Sequence, residues 1–160
     1  MSATNLSALL QKHPFVEEFH PEHIDKLRGL GREVRFAADQ VIFKEGDDTH
    51  DFYLIVSGRI ALEIEEPDDH VLRVQLLGAG DELGWSSVLM GRGKYFMARA
   101  LEHTEALAFD GPQLLDACRA DPAFGFAFMY RMLGVVSERL QATRLQLHDM
   151  HSPKAKRAGT

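Results

Sequence analysis

Residues 33–109 form a succession of short apolar or alternating segments divided by turn residues, and this spacing constrains the fold most. The segment FYLIV (52–56) is apolar at every position, which is typical of a strand buried on both faces. The segment IALEI (60–64) alternates like a half-exposed strand, with Glu63 and then Glu65 facing solvent. Because turns recur about every ten residues, the pattern predicts an all-β sandwich or barrel rather than βαβ units.

Composition is that of one soluble globular domain. The chain has 160 residues, of which 45% are hydrophobic and 26% are charged. No apolar run reaches the length of a membrane span, and the N-terminus lacks the pattern of a secretory signal. Cys118 is the only cysteine, which excludes a disulfide framework and favours a small core residue. We therefore expect a cytoplasmic protein without a membrane partner.

The charge distribution argues against a nucleic-acid partner. The formal net charge is −6, and every acidic residue precedes His151. Affinity for DNA comes largely from neutralising phosphates, so an acidic body is a poor binder. The small, polar and basic tail over residues 151–160 is predicted to be disordered.

Helical patterns flank the predicted strands. Two short helices precede residue 31, and a long helix begins at Asp121 and Pro122, residue types favoured at an N-cap and at the first helical position. In the long helix a seam recurs in steps of four and three residues: Met129, Leu133, Val136, Leu140, Thr143, Leu147 and Met150. A narrow heptad seam favours a second helix over the chain's own sheet, so we expect a homodimer through residues 129–150.

The stretch GDELGWSSVLMGRGKYFMARA (80–100) combines the parts of an anion site. Glycines turn the backbone after a strand, and GWSS (84–87) is predicted to be the first turn of a short helix. Backbone N–H groups are free at a helix start, and the helix dipole favours negative charge there. Ser86 and Ser87 add donors, and Lys94 adds a positive charge. The alternative is that Ser86 only caps the helix and Lys94 is solvated.

The order of these elements resembles the cyclic nucleotide-binding domain of the CRP/FNR superfamily over roughly residues 10–150. The likeness is carried by GDDTHDFYLIVSGRIALEI, by GAGDELGW at the start of the phosphate-binding cassette, and by SERLQATRLQL in the long helix. The resemblance implies a mainly β fold with flanking helices, built on a double-stranded β-helix or jelly roll. Its parts would be N-terminal helices (1–31), a β-roll (32–120) with a cassette-like loop (80–100), a dimerisation helix (121–150) and the tail.

The resemblance also implies where a ligand binds. In the register that keeps both cassette glycines, Trp85 takes the position of the family's ribose-binding Glu; in the other register Glu82 does. Lys94 and Tyr95 stand where the family has Arg and Ser or Thr, and each lost charge-assisted contact is worth about 1.5–3 kcal/mol. We therefore expect cyclic AMP and cyclic GMP to bind poorly. The predicted ligand-binding residues are Glu82, Gly84, Trp85, Ser86, Ser87, Lys94, Tyr95, Thr143 and Arg144.

These features predict a regulatory module rather than an enzyme. No catalytic motif or metal-ligand pattern is recognised, and about ten residues follow Met150, which is too few for a helix-turn-helix domain. The predicted ligand is a small nucleotide-like anion, with no identified cofactor, in an open cavity beside Trp85 and Tyr95. The alternative is an accessory subunit of a larger multisubunit enzyme, such as an oxidoreductase, in which the β-roll docks or holds a nucleotide.

Overall fold

The computed structural model describes residues 3–89 and 96–151, where the strands form two antiparallel four-stranded sheets. The strands are β1 (Gly31–Phe36), β2 (Val41–Phe43), β3 (Asp51–Ser57), β4 (Arg59–Glu65), β5 (Val71–Gly78), β6 (Glu82–Leu83), β7 (Met97–Ala100) and β8 (Thr104–Asp110). The first sheet has the order β1-β8-β3-β6 and the second β2-β7-β4-β5. This architecture confirms the predicted jelly-roll class. The two-residue strand β6 was outside the prediction, because so short a strand has no periodic signal.

Helices cover one side of the sheets. They are α1 (Ala3–Lys12), α2 (Pro21–Arg28), α3 (Trp85–Leu89), α4 (Gly111–Ala120) and α5 (Pro122–His151), with a 3-10 turn at Pro14–Val16. Among these helices, none combines the length and the apolar character that a membrane span needs.

Strand β3 separates two apolar cores. Tyr53 and Ile55 belong to the core between the two sheets, whereas Phe52 and Leu54 belong to the core between the first sheet and the helices. The prediction that FYLIV is buried on both faces is therefore confirmed for these four residues.

Aromatic rings fix the helices on the first sheet. The Phe15 ring lies 5.6 Å from both the Phe52 and the Phe128 ring centroids, which joins the 3-10 turn to β3 and α5. Burial of one such side chain contributes about 1.5–3 kcal/mol. This cluster therefore holds the first half of α5 firmly on the body of the protein.

His13 is a buried polar residue at the start of the 3-10 turn. The Phe15 backbone N–H donates to Nδ1 at 3.1 Å, so Nε2 carries the proton and donates to the Ile55 carbonyl at 3.0 Å. Burial lowers the pKa of this imidazole, and the bond to Ile55 opposes that shift. The neutral ring links the N-terminal helices to β3.

Helix α5 begins against α4 and then runs beside β5 with its second half exposed. The Phe124 N–H donates to Asp121 Oδ1 at 3.3 Å, as expected for an N-cap aspartate. Gly125 allows the close approach of α4, because a Cβ there would lie 2.6 Å from the Cys118 carbonyl oxygen. Val135 is the last buried residue of α5, and residues 140–151 are all exposed.

Glu63 corrects one sequence-based expectation, because it is buried rather than solvated. Its side chain is 6% exposed and lies 2.9 Å from Arg99 Nη2 and 3.7 Å from Arg73 Nη2. A buried carboxylate needs such partners. The pairing of β4 with β5 passes from Leu62–Gln75 to Glu63–Arg73, so an extra residue on β5 brings Arg73 opposite Glu63, which the sequence alone does not show.

Candidate functional site

A cavity of about 250 Å³ lies between the second sheet, the start of α3 and the middle of α5. Strands β2, β4, β5 and β6 supply one wall, and the turn of chain around Gly84 supplies another. Helix α5 closes the remaining side. The lining residues are Phe43, Leu62, Gln75, Leu83, Gly84, Trp85, Ser86, Phe96, Val136, Arg139, Leu140 and Thr143.

The backbone at Gly84 brings Trp85 and Ser86 to the cavity. Strand β6 ends at Leu83, and Gly84 has a φ of 85°, a left-handed conformation that favours glycine. Helix α3 then starts at Trp85. This helix has only five residues, so few peptide dipoles align in it and its start attracts anions less than the sequence suggests. The indole of Trp85 lines the cavity without closing it, since the space remains open.

Arg139 is the ionisable residue of the described cavity lining. Its Nη2 donates a hydrogen bond to the backbone carbonyl of Glu82, which ties α5 to β6. Burial lowers the pKa of this guanidinium, and the charges of Glu82, Asp81 and Glu138 oppose the shift. Within residues 3–89 and 96–151, no carboxylate forms an ion pair with it. The wall therefore holds a positive charge without a matched negative partner.

Glu82 itself does not line the cavity. Its carboxylate is 6% exposed and lies 3.6 Å from Arg131 Nη2. Burial raises the pKa of Glu82, while Arg131 and then Arg139 hold it down. Arg131 also donates from Nε to the Phe15 carbonyl at 3.2 Å, so this ion pair is part of the helix packing.

The structure brings some of the predicted site residues together and not others. Gly84, Trp85, Ser86 and Thr143 lie in the cavity wall. Arg144 is exposed and outside the lining, because the next position on a helix lies about 100° away from Thr143. Lys94 and Tyr95 lie outside the described residues, as does the side chain of Ser87. A ligand-binding role for any of the nine stays a prediction.

Sequence reasoning missed Arg139, Gln75, Phe43 and Phe96 as lining residues. For Arg139 a signal existed, since it lies four residues before Thr143 and helical spacing places both on one face. The Thr143 hydroxyl in fact donates to the Arg139 carbonyl at 2.9 Å. Phe43 on β2 had no comparable signal, because facing a cavity and facing the core give the same apolar pattern. In the described part of the chain, no three potential metal ligands cluster.

The two-sheet jelly roll, with a cavity between its second sheet and a long C-terminal helix, places the protein in the class of β-roll domains. The chain belongs to the cyclic nucleotide-binding domain family, whose model matches residues 33–121. This confirms the resemblance seen in the sequence. The match covers more than half of the chain and includes the β-roll and the loop around Gly84.

Solved structures support the fold. A cyclic nucleotide-binding domain from Methylobacillus flagellatus superposes with a TM-score of 0.76 at 19% identity, covering 95% of this chain and 83% of that one. The catabolite activator protein of Thermus thermophilus gives a TM-score of 0.70 at 25% identity, covering 84% of this chain and 61% of that one.

One curated relative is the cAMP/cGMP-dependent 3',5'-cAMP/cGMP phosphodiesterase B of Dictyostelium discoideum, 30% identical over 73 residues. That match covers 46% of this chain and only 6% of the phosphodiesterase, so the two proteins share a single domain. Taken together, these comparisons support a regulatory cyclic nucleotide-binding domain, and they give no support to the alternative of an accessory enzyme subunit.

Proposed function

We propose that this chain is a regulatory domain that binds a small nucleotide-like anion in the cavity and transmits occupancy through α5. The observation that carries the proposal is that one cavity is shared by the β-roll and the long helix. Trp85 and Ser86 come from the loop side, and Val136, Arg139 and Thr143 come from α5. A ligand there contacts both elements at once.

Such a ligand acts only through a difference in affinity between two positions of α5. The second half of α5 could take two positions relative to the β-roll while its first half stays fixed. Its first half is locked by Phe128, which is fully buried, whereas its second half exposes every residue from 140 onward. The cavity lies at the junction between these halves, so a change in the wall reaches the exposed half directly.

The exposed half of α5 supports the proposed homodimer. Leu133, Leu140, Leu147 and Met150 belong to the seam and are 57–70% exposed. An apolar stripe on a projecting helix is stabilised by a second copy of the same helix. Thr143 lies in the cavity wall and Arg144 lies next to it on the exposed face, so Arg144 would report occupancy to the partner subunit.

Cyclic AMP and cyclic GMP are expected to bind weakly. In the family a glutamate binds the ribose, whereas the carboxylate of Glu82 is buried beside Arg131 instead of lining the cavity. The acceptors in the described wall are the neutral side chains of Gln75, Ser86 and Thr143. Trp85, which does line it, offers an apolar face and one N–H donor, neither of which accepts a hydrogen bond.

Isothermal titration calorimetry with cyclic AMP, cyclic GMP and a panel of other nucleotide anions tests the proposal. The fluorescence of Trp85, the single tryptophan, gives a parallel reading from within the cavity. We expect saturable binding of at least one anion that changes this fluorescence, and weak binding of both cyclic nucleotides. Micromolar binding of cyclic AMP would refute the expected weakness, and binding of no anion at all would refute the sensing role.

Native mass spectrometry of the protein from its host tests the partner. A homodimer with added ligand mass supports the sensing module. A stoichiometric complex with another protein would support the accessory-subunit alternative instead.

A further inference from the structure

We infer that Arg139 is the anion-binding residue of this cavity, and that its ligand is a planar aromatic monoanion whose charged end faces α5. The inference rests on the proposed function and names the ligand class for that same site. It would place the anion contact on the helix that transmits occupancy, rather than on the loop before β7.

The Arg139 side chain carries a charge that is partly buried. A guanidinium remains protonated in proteins, and a partly buried charge is unfavourable unless it is paired. Here its hydrogen bond goes to the neutral backbone carbonyl of Glu82. An anionic group in the cavity would supply the missing charge through charge-assisted hydrogen bonds, which a guanidinium can form two at a time.

The acidic groups near Arg139 have other partners or face solvent. The Glu82 carboxylate is paired with Arg131 at 3.6 Å. The Asp81 carboxylate accepts from the Gly78 N–H at 2.8 Å, and Glu138 is exposed on α5. None of the three lines the cavity. Among the described residues no carboxylate therefore lies within ion-pair distance of Arg139, although these three are close enough to act on its charge.

Much of the remaining cavity wall is apolar. Phe43, Trp85 and Phe96 supply three aromatic rings to the cavity wall. Four aliphatic residues complete its apolar part: Leu62, Leu83, Val136 and Leu140. Aromatic rings favour a planar partner at stacking or edge contact. Within the described lining Arg139 is the one charged residue, so a ligand with one negative charge matches it and a second charge would be buried unpaired.

Calorimetry on the full chain with 2-naphthoate and its neutral counterpart 2-naphthamide tests the inference. These probes share one ring system and differ in charge. We expect naphthoate to bind the native protein about 10- to 100-fold more tightly than naphthamide. Arg139→Gln should weaken naphthoate by a similar factor and leave naphthamide nearly unchanged, and Arg139→Lys should restore part of the affinity.

Two variants serve as comparisons. Arg119→Gln removes an arginine that is 74% exposed on α4, away from the cavity, and should leave both affinities unchanged. Lys94→Gln removes the cation that the sequence places near the site. Loss of naphthoate binding in Lys94→Gln with full binding in Arg139→Gln would overturn the inference.

The outcomes separate this inference from the proposed function. Equal binding of naphthoate and naphthamide by the native protein overturns the inference, and that result does not depend on how any variant folds. Tight binding of a nucleotide anion that Arg139→Gln leaves intact also overturns it, while the regulatory site stands. Binding of neither probe and of no nucleotide anion removes the proposed function itself.

Discussion

Arg131→Gln removes the counter-charge of a buried carboxylate, and we expect the loss of stability to depend on pH. The Glu82 side chain is 6% exposed and Arg131 is 28% exposed. Removing one partner of a buried ion pair costs about 3–5 kcal/mol. Arg131 is partly exposed and the charge of Arg139 remains nearby, so we expect about 2–4 kcal/mol near pH 8.

The sign of the pH dependence follows from the pKa of Glu82. Burial raises it above its ordinary value of 4.5. Between 4.5 and the raised value, the folded state binds more protons than the unfolded state, so this carboxyl destabilises the fold increasingly as pH rises. Arg131 is the largest influence that lowers this pKa, and its removal raises the pKa further. The difference between variant and native protein should therefore be large near pH 8 and small near about pH 5.

Urea unfolding at both pH values, followed by Trp85 fluorescence at one protein concentration, measures this difference. Glu82→Gln in the Arg131→Gln background is the control, since it removes the group that titrates and should abolish the pH dependence. The loss of the Arg131 contacts to Phe15 remains in both variants as a pH-independent part. An equal loss of stability at both pH values, or a pH dependence that survives Glu82→Gln, would refute the reasoning.

Three further predictions concern packing, titration and assembly. Burial lowers the pKa of His13, so its neutral imidazole stabilises the fold above pH 6.5, and this contribution is lost as the pH falls below 6.5. His13→Gln should therefore make the free energy of unfolding depend less on pH below 6.5, which urea titrations at about pH 5.5 and pH 7.5 measure. Gly125→Ala should destabilise the protein by about 1–3 kcal/mol through overlap with α4, whereas Gly134→Ala, whose nearest neighbour would be a flexible side chain at 3.6 Å, should be neutral or stabilising in thermal unfolding. Leu147→Glu should convert the proposed dimer to monomer in sedimentation velocity, whereas Gln141→Glu, outside the seam, should not; a monomeric native protein would contradict this prediction.

The sequence was a reliable guide where one physical requirement dominates the pattern. Strand β3 has apolar residues on both faces because both faces meet a core, and its sequence has no other plausible environment. The long helix was predictable from its cap and its seam. Strand β3 and the long helix depend on burial or on neighbours along the chain, and both of these determine the residue types in the sequence.

The site was less predictable, because its residues depend on partners far along the chain. Glu82 was a candidate for the ligand, yet Arg131 pairs with it inside the fold. Arg139 was overlooked within SERLQATRLQL, although its spacing of four residues from Thr143 places both on one face of the helix. Glu63 was expected on a solvated strand edge, but Arg73 and Arg99 from the neighbouring strands cover its carboxylate.

If the proposed dimer forms through the exposed second half of α5, the local order of this half would depend on protein concentration. A helical segment of about a dozen residues is marginal in water without tertiary contacts. Residues 140–151 have no buried member. Leu140 and Thr143 line the cavity, and the Gln146 side-chain amide donates to the Val74 carbonyl at 3.1 Å. Amide protons in this half should therefore exchange with solvent rapidly in dilute protein and slowly once copies associate, so the cell's own expression level would set how much of the helix is rigid.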